Sequence, residues 1–175
     1  FTNPAFTKAQ WRELTAYVRD QKRADEAVIL VSGHAGPVWR YYAADMPPIR
    51  LPEIDILDVN AVLTFANSAP SLVAGLQDRA GVWLVTWQDE VVDPMGLVAL
   101  QLEEAAEEQP LPAGGQFWQL GLRHFGRLQP SLLSPQPPLA HPNPVDFGQQ
   151  VRLLGHTLQA NGDLMLFWQS LQADA

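Results

Sequence analysis

Hydrophobic positions along this chain form two kinds of pattern. Ala27–Ser32 (AVILVS) and the start of Val82–Pro94 (VWLVTWQDEVVDP) are nearly continuous apolar runs rich in β-branched and aromatic residues. That is the pattern of strands buried on both faces. Before the first run, Trp11, Leu14, Tyr17 and Val18 recur at helical spacing and lead into the charged stretch Arg19–Arg23. Thr7-Lys-Ala-Gln10 ahead of them has the spacing of a capping box, with Phe6 and Trp11 placed as its hydrophobic staple.

Between and beyond the two strands the pattern alternates. A loop at Gly33–Pro37 leads into a short helix over about Pro37–Ala44, and Ile49–Leu51 reads as a short strand ending at Pro52. Leu57–Asn67 fits neither period. Ser68 with Pro70 marks a helix start, with Leu72, Val73 and Leu76 on its buried side. After the acidic turn Gln88-Asp89-Glu90, Asp93 caps a helix over Pro94–Glu108. Glu103/Glu107 and Glu104/Glu108 are like-charge pairs at helical spacing, so the end of that helix is expected to fray. Phe117–Phe125 reads as a strand near the sheet edge.

Residues 129–146 are rich in proline, with six in the sixteen positions from Gln129 to Pro144, and are expected to form a stiff, extended linker. Gln150–Leu158 and Leu164–Leu171 then read as two strands turning at Asn161-Gly162-Asp163. The expectation is an α/β domain over residues 1–128, a mostly parallel, three-layer Rossmann-like sheet with helices on both faces. Residues 147–175 would form a β-hairpin that begins a further β-rich module, since an isolated hairpin is marginal in water.

Composition narrows the function classes. Apolar residues make up 47% and charged ones 17%, as in folded globular chains. The net charge of −8 argues against nucleic acid as a partner, because neutralising phosphates takes clustered Lys and Arg. Without cysteine there are no disulfides, thiol nucleophiles or thiolate metal sites, which fits an exported bacterial domain. No run approaches the ~20 apolar residues that cross a bilayer. The chain shows no signal peptide and begins at Phe1, so the expectation is a fragment or processed product.

Candidate chemistry lies in the loops after the two strands, because open α/β sheets bind ligands beyond their strand carboxyl ends. Ser32, Gly33, His34 and Gly36 form a glycine-containing turn before a helix, able to offer backbone N–H groups to an anion. The turn lacks dinucleotide-binding and phosphate-loop spacings, and an ordinary tight βα turn is the plainer reading. Gln88, Asp89 and Glu90, with Asp93 nearby, bring carboxylates suited to acid–base work or to a hard cation, though consecutive acids point in different directions and a solvated turn is the plainer reading. The four histidines, His34, His124, His141 and His156, show no zinc spacing, and no serine sits in a G-x-S-x-G elbow. No metal or cofactor is expected. Trp39, Tyr41 and Tyr42 form an aromatic cluster that would suit a sugar or headgroup surface, whereas Trp11 and Trp83 sit on core patterns.

The phrases AVILVSGHAGPVWRYY, GVWLVTWQDEVVDP, FGQQVRLLGHTL and LFWQSLQ, following a capped Trp-bearing helix, are spread over nearly the whole chain. In that order they resemble the soluble C-terminal region of bacterial polytopic glycosyltransferases. Those enzymes are similar to the dolichyl-phosphate-mannose–protein mannosyltransferase family (glycosyltransferase family 39). The resemblance implies a membrane-embedded part of the same parent chain upstream, a lipid-phosphate sugar donor, and catalytic acids near the membrane face that lie outside these residues. It implies an extracytoplasmic, non-catalytic domain that positions a sugar or glycan acceptor or steadies the membrane part. A free-standing enzyme or binding protein for a sugar or phosphate ligand, and a protein-interaction module, are the alternatives.

Overall fold

The computed structural model describes residues 8–158, 162 and 164–172, in two compact units divided between Pro135 and Gln136. In the first, helices α1 (Trp11–Gln21), α2 (Gly36–Ala43), α3 (Phe65–Leu76) and α4 (Leu97–Ala105) accompany strands β1 (Glu26–Val31), β2 (Ile49–Leu51), β3 (Gly81–Thr86), β4 (Glu107–Gln109) and β5 (Gly121–Gly126). The strands form one sheet in the order β2-β1-β3-β5-β4. β1 runs parallel to both β2 and β3, and β5 runs antiparallel to both β3 and β4. All strands except β5 therefore point the same way, so the sheet is mostly parallel in direction, as expected.

The continuous apolar runs become the two central strands. β1 is buried at every position and pairs with β3 from Glu26↔Gly81 to Val31↔Thr86. Alternation sorts their side chains to two cores. Val28, Leu30, Trp83 and Val85 pack with Trp11, Leu14 and Val18 of α1 and Trp39 and Ala43 of α2. Ile29, Val31, Val82 and Leu84 pack with Leu72 and Leu76 of α3 and Val98 and Leu102 of α4. Each such fully buried aliphatic side chain contributes about 1.5–3 kcal/mol of burial.

Several expected boundaries move. α1 starts at Trp11 with Gln10 as a cap whose side chain makes no capping bond, and the Phe6–Thr7 part of the expected capping box lies outside the described residues. α3 begins at Phe65, not Ser68. Thr64 caps it by accepting the Asn67 N–H, and the Asn67 side chain accepts the Thr64 N–H in return. Ser68 is then inside the helix, donating to the Thr64 carbonyl at 2.7 Å, and Val73 faces solvent at 38% exposure instead of joining Leu72 and Leu76 in the core.

The helix expected over Pro94–Glu108 is shorter at both ends. Gly96 occupies the N-cap position, and the Asp93 carboxylate caps from further back by accepting Leu97 N–H (2.7 Å) and Val98 N–H (3.1 Å). Glu107 and Glu108 do not fray at a helix end. They lie in edge strand β4, where Arg127 and Arg123 of the neighbouring strand end bind them. Arg123 also reaches Glu103 at 2.6 Å, so one guanidinium holds a carboxylate of α4 together with one of β4. Of the expected strand Phe117–Phe125, Phe117–Leu120 is a turn closed by an isolated bridge, and β5 begins at Gly121.

The proline-rich stretch divides between the units. Pro130–Leu132 makes a 3₁₀ turn, and Leu128 and Leu133 join the α3/α4 core. His141–Phe147 is strand β6, which pairs with β7 (Val151–Leu158), itself paired with β8 (Leu164–Ser170). The expected hairpin is thus two strands of a three-stranded antiparallel sheet. Its Asn161 and Asp163 turn positions lie outside the described residues. Within this sheet Gly155 sits where a Cβ would meet the His141 carbonyl, Arg152 pairs with Asp146, and Phe147 packs on Trp168 at 5.4 Å between centroids.

Candidate functional site

The connectivity of the first unit creates one distinguished place. From β1 the chain passes through α2 to β2 on one side, and from β3 it passes through α4 to β4 on the other. The carboxyl ends of β1 and β3 are adjacent and their outgoing connections diverge, the topology that in open α/β sheets opens a crevice between strand ends. Such a switch point is where open α/β sheets take ligands.

Both strand ends carry strained backbone. Ser32, directly after β1, has φ 51°, and Gln88, two residues after β3, has φ 51° and ψ 35°. Neither is glycine, and a non-glycine residue held at positive φ costs about 1–3 kcal/mol, a cost that concentrates at functional sites. The two expected loops meet at these strand ends. The Trp87 N–H donates to the Val31 carbonyl at 3.2 Å, extending the β1–β3 ladder to the lip of the crevice. His34 stacks on Trp87 with 5.1 Å between ring centroids and 29° between planes. Its Nδ1 is 2.9 Å from Ser32 Oγ, and its Nε2 is 3.4 Å from Gln88 Oε1. With the serine hydroxyl donating to Nδ1, Nε2 carries the proton and donates to Gln88.

That geometry separates binding from catalysis. A serine at positive φ between a strand and a helix has the outline of a nucleophile elbow. Here Ser32 is 0% exposed, and its hydroxyl faces His34. It cannot meet a substrate carbonyl and serves to orient the imidazole. His34 is half-buried and Gln88 exposed, so the polar edge open to a ligand is the His34–Gln88 pair. Their bond sits at the long limit of hydrogen-bond geometry, and a ligand hydroxyl can replace it at little cost.

The remaining expected residues divide. Gly33 and Gly36 line the same turn, but the space beside them is taken. A Cβ on Gly33 would collide with the Pro52 carbonyl, and one on Gly36 would meet the Arg50 side chain at 2.9 Å. These glycines admit the end of β2, which accounts for them without a ligand. Asp89 and Glu90 form a 3₁₀ turn with Val91 next to Gln88 and place negative charge beside it. Asp93 is buried and occupied as a cap; burial, reinforced by Asp89, pushes its carboxyl above the usual range despite the two N–H bonds.

The expected aromatic surface is corrected. Trp39 is 1% exposed, and its Nε1–H donates to the Met46 carbonyl at 2.7 Å inside the α1/α2 core. Helical geometry explains this: Gly36, Trp39 and Ala43 share the inward face of α2, while Tyr41 (81% exposed) and Tyr42 lie outside it. What is left is the Tyr41/Tyr42 pair, edge to face at 4.8 Å.

Trp87 was not singled out from the sequence, where it read as the end of an apolar run. Its position just past β3, followed by polar Gln88, is the signal that marks it as a strand-end residue. Among the described residues no cluster of three or more His, Asp or Glu side chains is placed to hold a metal ion, and no helix is long and apolar enough to cross a membrane. Comparison with protein-family models, with curated proteins and with solved structures returned no match.

Proposed function

We propose that this chain is a non-catalytic recognition domain whose switch-point crevice binds a neutral, hydroxyl-rich ligand. The parent we propose for it is an extracytoplasmic, membrane-anchored glycosyltransferase, with the crevice holding a sugar or glycan acceptor. The observation that carries the binding reading is the His34–Gln88 pair, seated on Trp87 and bridging two strained strand ends. With Nδ1 taken by Ser32, the imidazole offers its Nε2–H as a donor, and the Gln88 carboxamide offers both a donor and an acceptor to hydroxyl groups. The carboxylates of Asp89 and Glu90 beside them favour a neutral sugar over a sugar phosphate. The buried hydroxyl of Ser32 supports recognition without turnover.

The glycosyltransferase setting rests on the sequence resemblance, and the layering of the first unit is read with it as a Rossmann-like, doubly wound arrangement. Its test is the source gene. A series of hydrophobic spans encoded in frame before Phe1 supports the parent proposed here. A start codon immediately ahead of Phe1 sinks it and leaves a free-standing binding protein.

A further inference from the structure

At the end of the sheet opposite the crevice lies a cavity of about 390 Å³. It is lined by His124 and Trp83 of the sheet, by Arg23 and Arg127, and by the amide side chains of Gln21 and Gln109. A volume in this range suits a small organic ligand.

The wall is built around a buried charge. Glu26, the first residue of β1, is 2% exposed, yet its carboxylate is fully engaged. Oε2 accepts the Arg23 N–H and the Trp83 Nε1–H, both at 2.9 Å. Oε1 meets His124 Nε2 at 2.9 Å and the Arg23 guanidinium at 3.0 Å. Burial alone would raise this carboxyl's pKa, but the hydrogen bonds and His124 outweigh it and hold the group below its usual range. His124 is fixed twice, by Glu26 and by stacking on Trp83 at 4.2 Å and 13°. Its Nε2 is committed to Glu26, and Nδ1 has no hydrogen-bond partner among the described residues.

The two arginines keep unspent donors. Arg127 contacts both Glu107 oxygens through Nη1 at 3.0 Å, and its Nη2 and Nε make no hydrogen bond among the described residues. Arg23 uses Nε on Asp25 and Nη2 on Glu26, and its Nη1 makes none among the described residues. Arg127 also stands at φ 53°, a further strained non-glycine residue at a cavity wall. Guanidinium donors in pairs match planar carboxylate and phosphate oxygens. Pro110 and Pro112 give the cavity an apolar side for the body of such a ligand.

We infer that this cavity is a second binding site, separate from the strand-end crevice, for a small organic anion bearing a carboxylate or phosphate ester. The anionic group lies between Arg23 and Arg127, and His124 Nδ1 bonds a polar atom of the ligand. The site recognises its ligand without requiring the crevice to be occupied.

The test is a titration of the labelled chain at constant ionic strength, using inorganic phosphate, glycerol 3-phosphate and benzoate, with glycerol as the neutral control. The readouts are the His124 ring and the Arg23 and Arg127 side-chain resonances. At least one anion should give saturable shifts at these groups, and glycerol should give none. Arg127→Asn keeps a residue that tolerates the left-handed backbone and removes the guanidinium; it should weaken binding about tenfold or more without lowering the melting temperature. His124→Gln, a second probe, should also weaken it. No saturable shift from any anion up to about 50 mM, a concentration that would reveal even millimolar affinity, overturns the site. Equal shifts with glycerol, or wild-type affinity in Arg127→Asn, overturn it as well.

Discussion

Val85 offers the sharpest test of the core. It lies in β3 opposite Leu30 of β1 and Leu122 of β5, is 0% exposed, and belongs to the core formed with α1 and α2. Val85→Asp forfeits about 1.5–3 kcal/mol of side-chain burial. The new carboxyl enters an apolar cluster, and even protonated it adds about 1–3 kcal/mol as a poorly satisfied buried group. The sum, about 2.5–6 kcal/mol, is a large part of the whole stability of an ordinary domain, about 5–15 kcal/mol. The melting temperature should fall by about 5 °C or more, or the chain should not fold at all. Val73→Asp is the matched control: Val73 is 38% exposed on α3, so the change should stay within about 0.5 kcal/mol. Thermal and urea unfolding followed by tryptophan fluorescence and circular dichroism report both. A Val85→Asp chain that melts within about 2 °C of wild type, or alongside Val73→Asp, refutes the placement of β3 at the centre of the sheet.

Trp39→Ala should destabilise by about 3–5 kcal/mol and Tyr41→Ala by almost nothing, read as urea midpoints, because the first empties the core and the second is a surface ring. Asp93→Ala removes the acceptor of two N–H groups at the start of α4 and should cost about 0.5–2 kcal/mol in the same assay. For Glu26, the folded-state pKa lies below the unfolded one, so its stabilisation is complete above the unfolded value, about 4.3, and is lost as pH falls through the folded value. Glu26→Gln should therefore destabilise the chain at pH 7, and the gap to wild type should narrow on acidification, in urea titrations from pH 7 to pH 3. Asp93 acts oppositely near the same range: its raised folded pKa is a penalty at neutral pH that protonation relieves, so the difference between chains, not the wild-type curve alone, is the readout.

What the sequence revealed depended on how local the cause was. β1 and β3 were legible because burial on both faces leaves an uninterrupted apolar run, as in Val28–Val31 and Val82–Val85. The end of α4 was misread because Glu103–Glu108 continues at helical spacing, and the partners that draw Glu107 and Glu108 into a strand, Arg127 and Arg123, lie 15 to 20 residues away. β6 was hidden by Pro142 and Pro144, which an edge strand tolerates and a central one does not. For Trp39 the information was present: Gly36 and Ala43 share its face, while the adjacent tyrosines suggested a single cluster. Both candidate loops were legible from their places after the strands, but their meeting through His34 and Gln88 depends on β1 and β3 being neighbours. Glu26 gave no signal, since its burial rests on Trp83 and His124, 57 and 98 residues further on.

The most direct test of crevice binding is a titration of the labelled chain with neutral hexoses and short oligosaccharides, read at the backbone amides of Ser32–Gly36 and Trp87–Asp89 and at the His34 ring. At least one of them should give saturable shifts confined to these groups, with a millimolar to high-micromolar constant, about −4 to −6 kcal/mol. Replacing His34 and Gln88 together with alanine should abolish the response. Absence of any saturable shift, or shifts confined to Tyr41 and Tyr42, would contradict the assignment of the crevice as the recognition site.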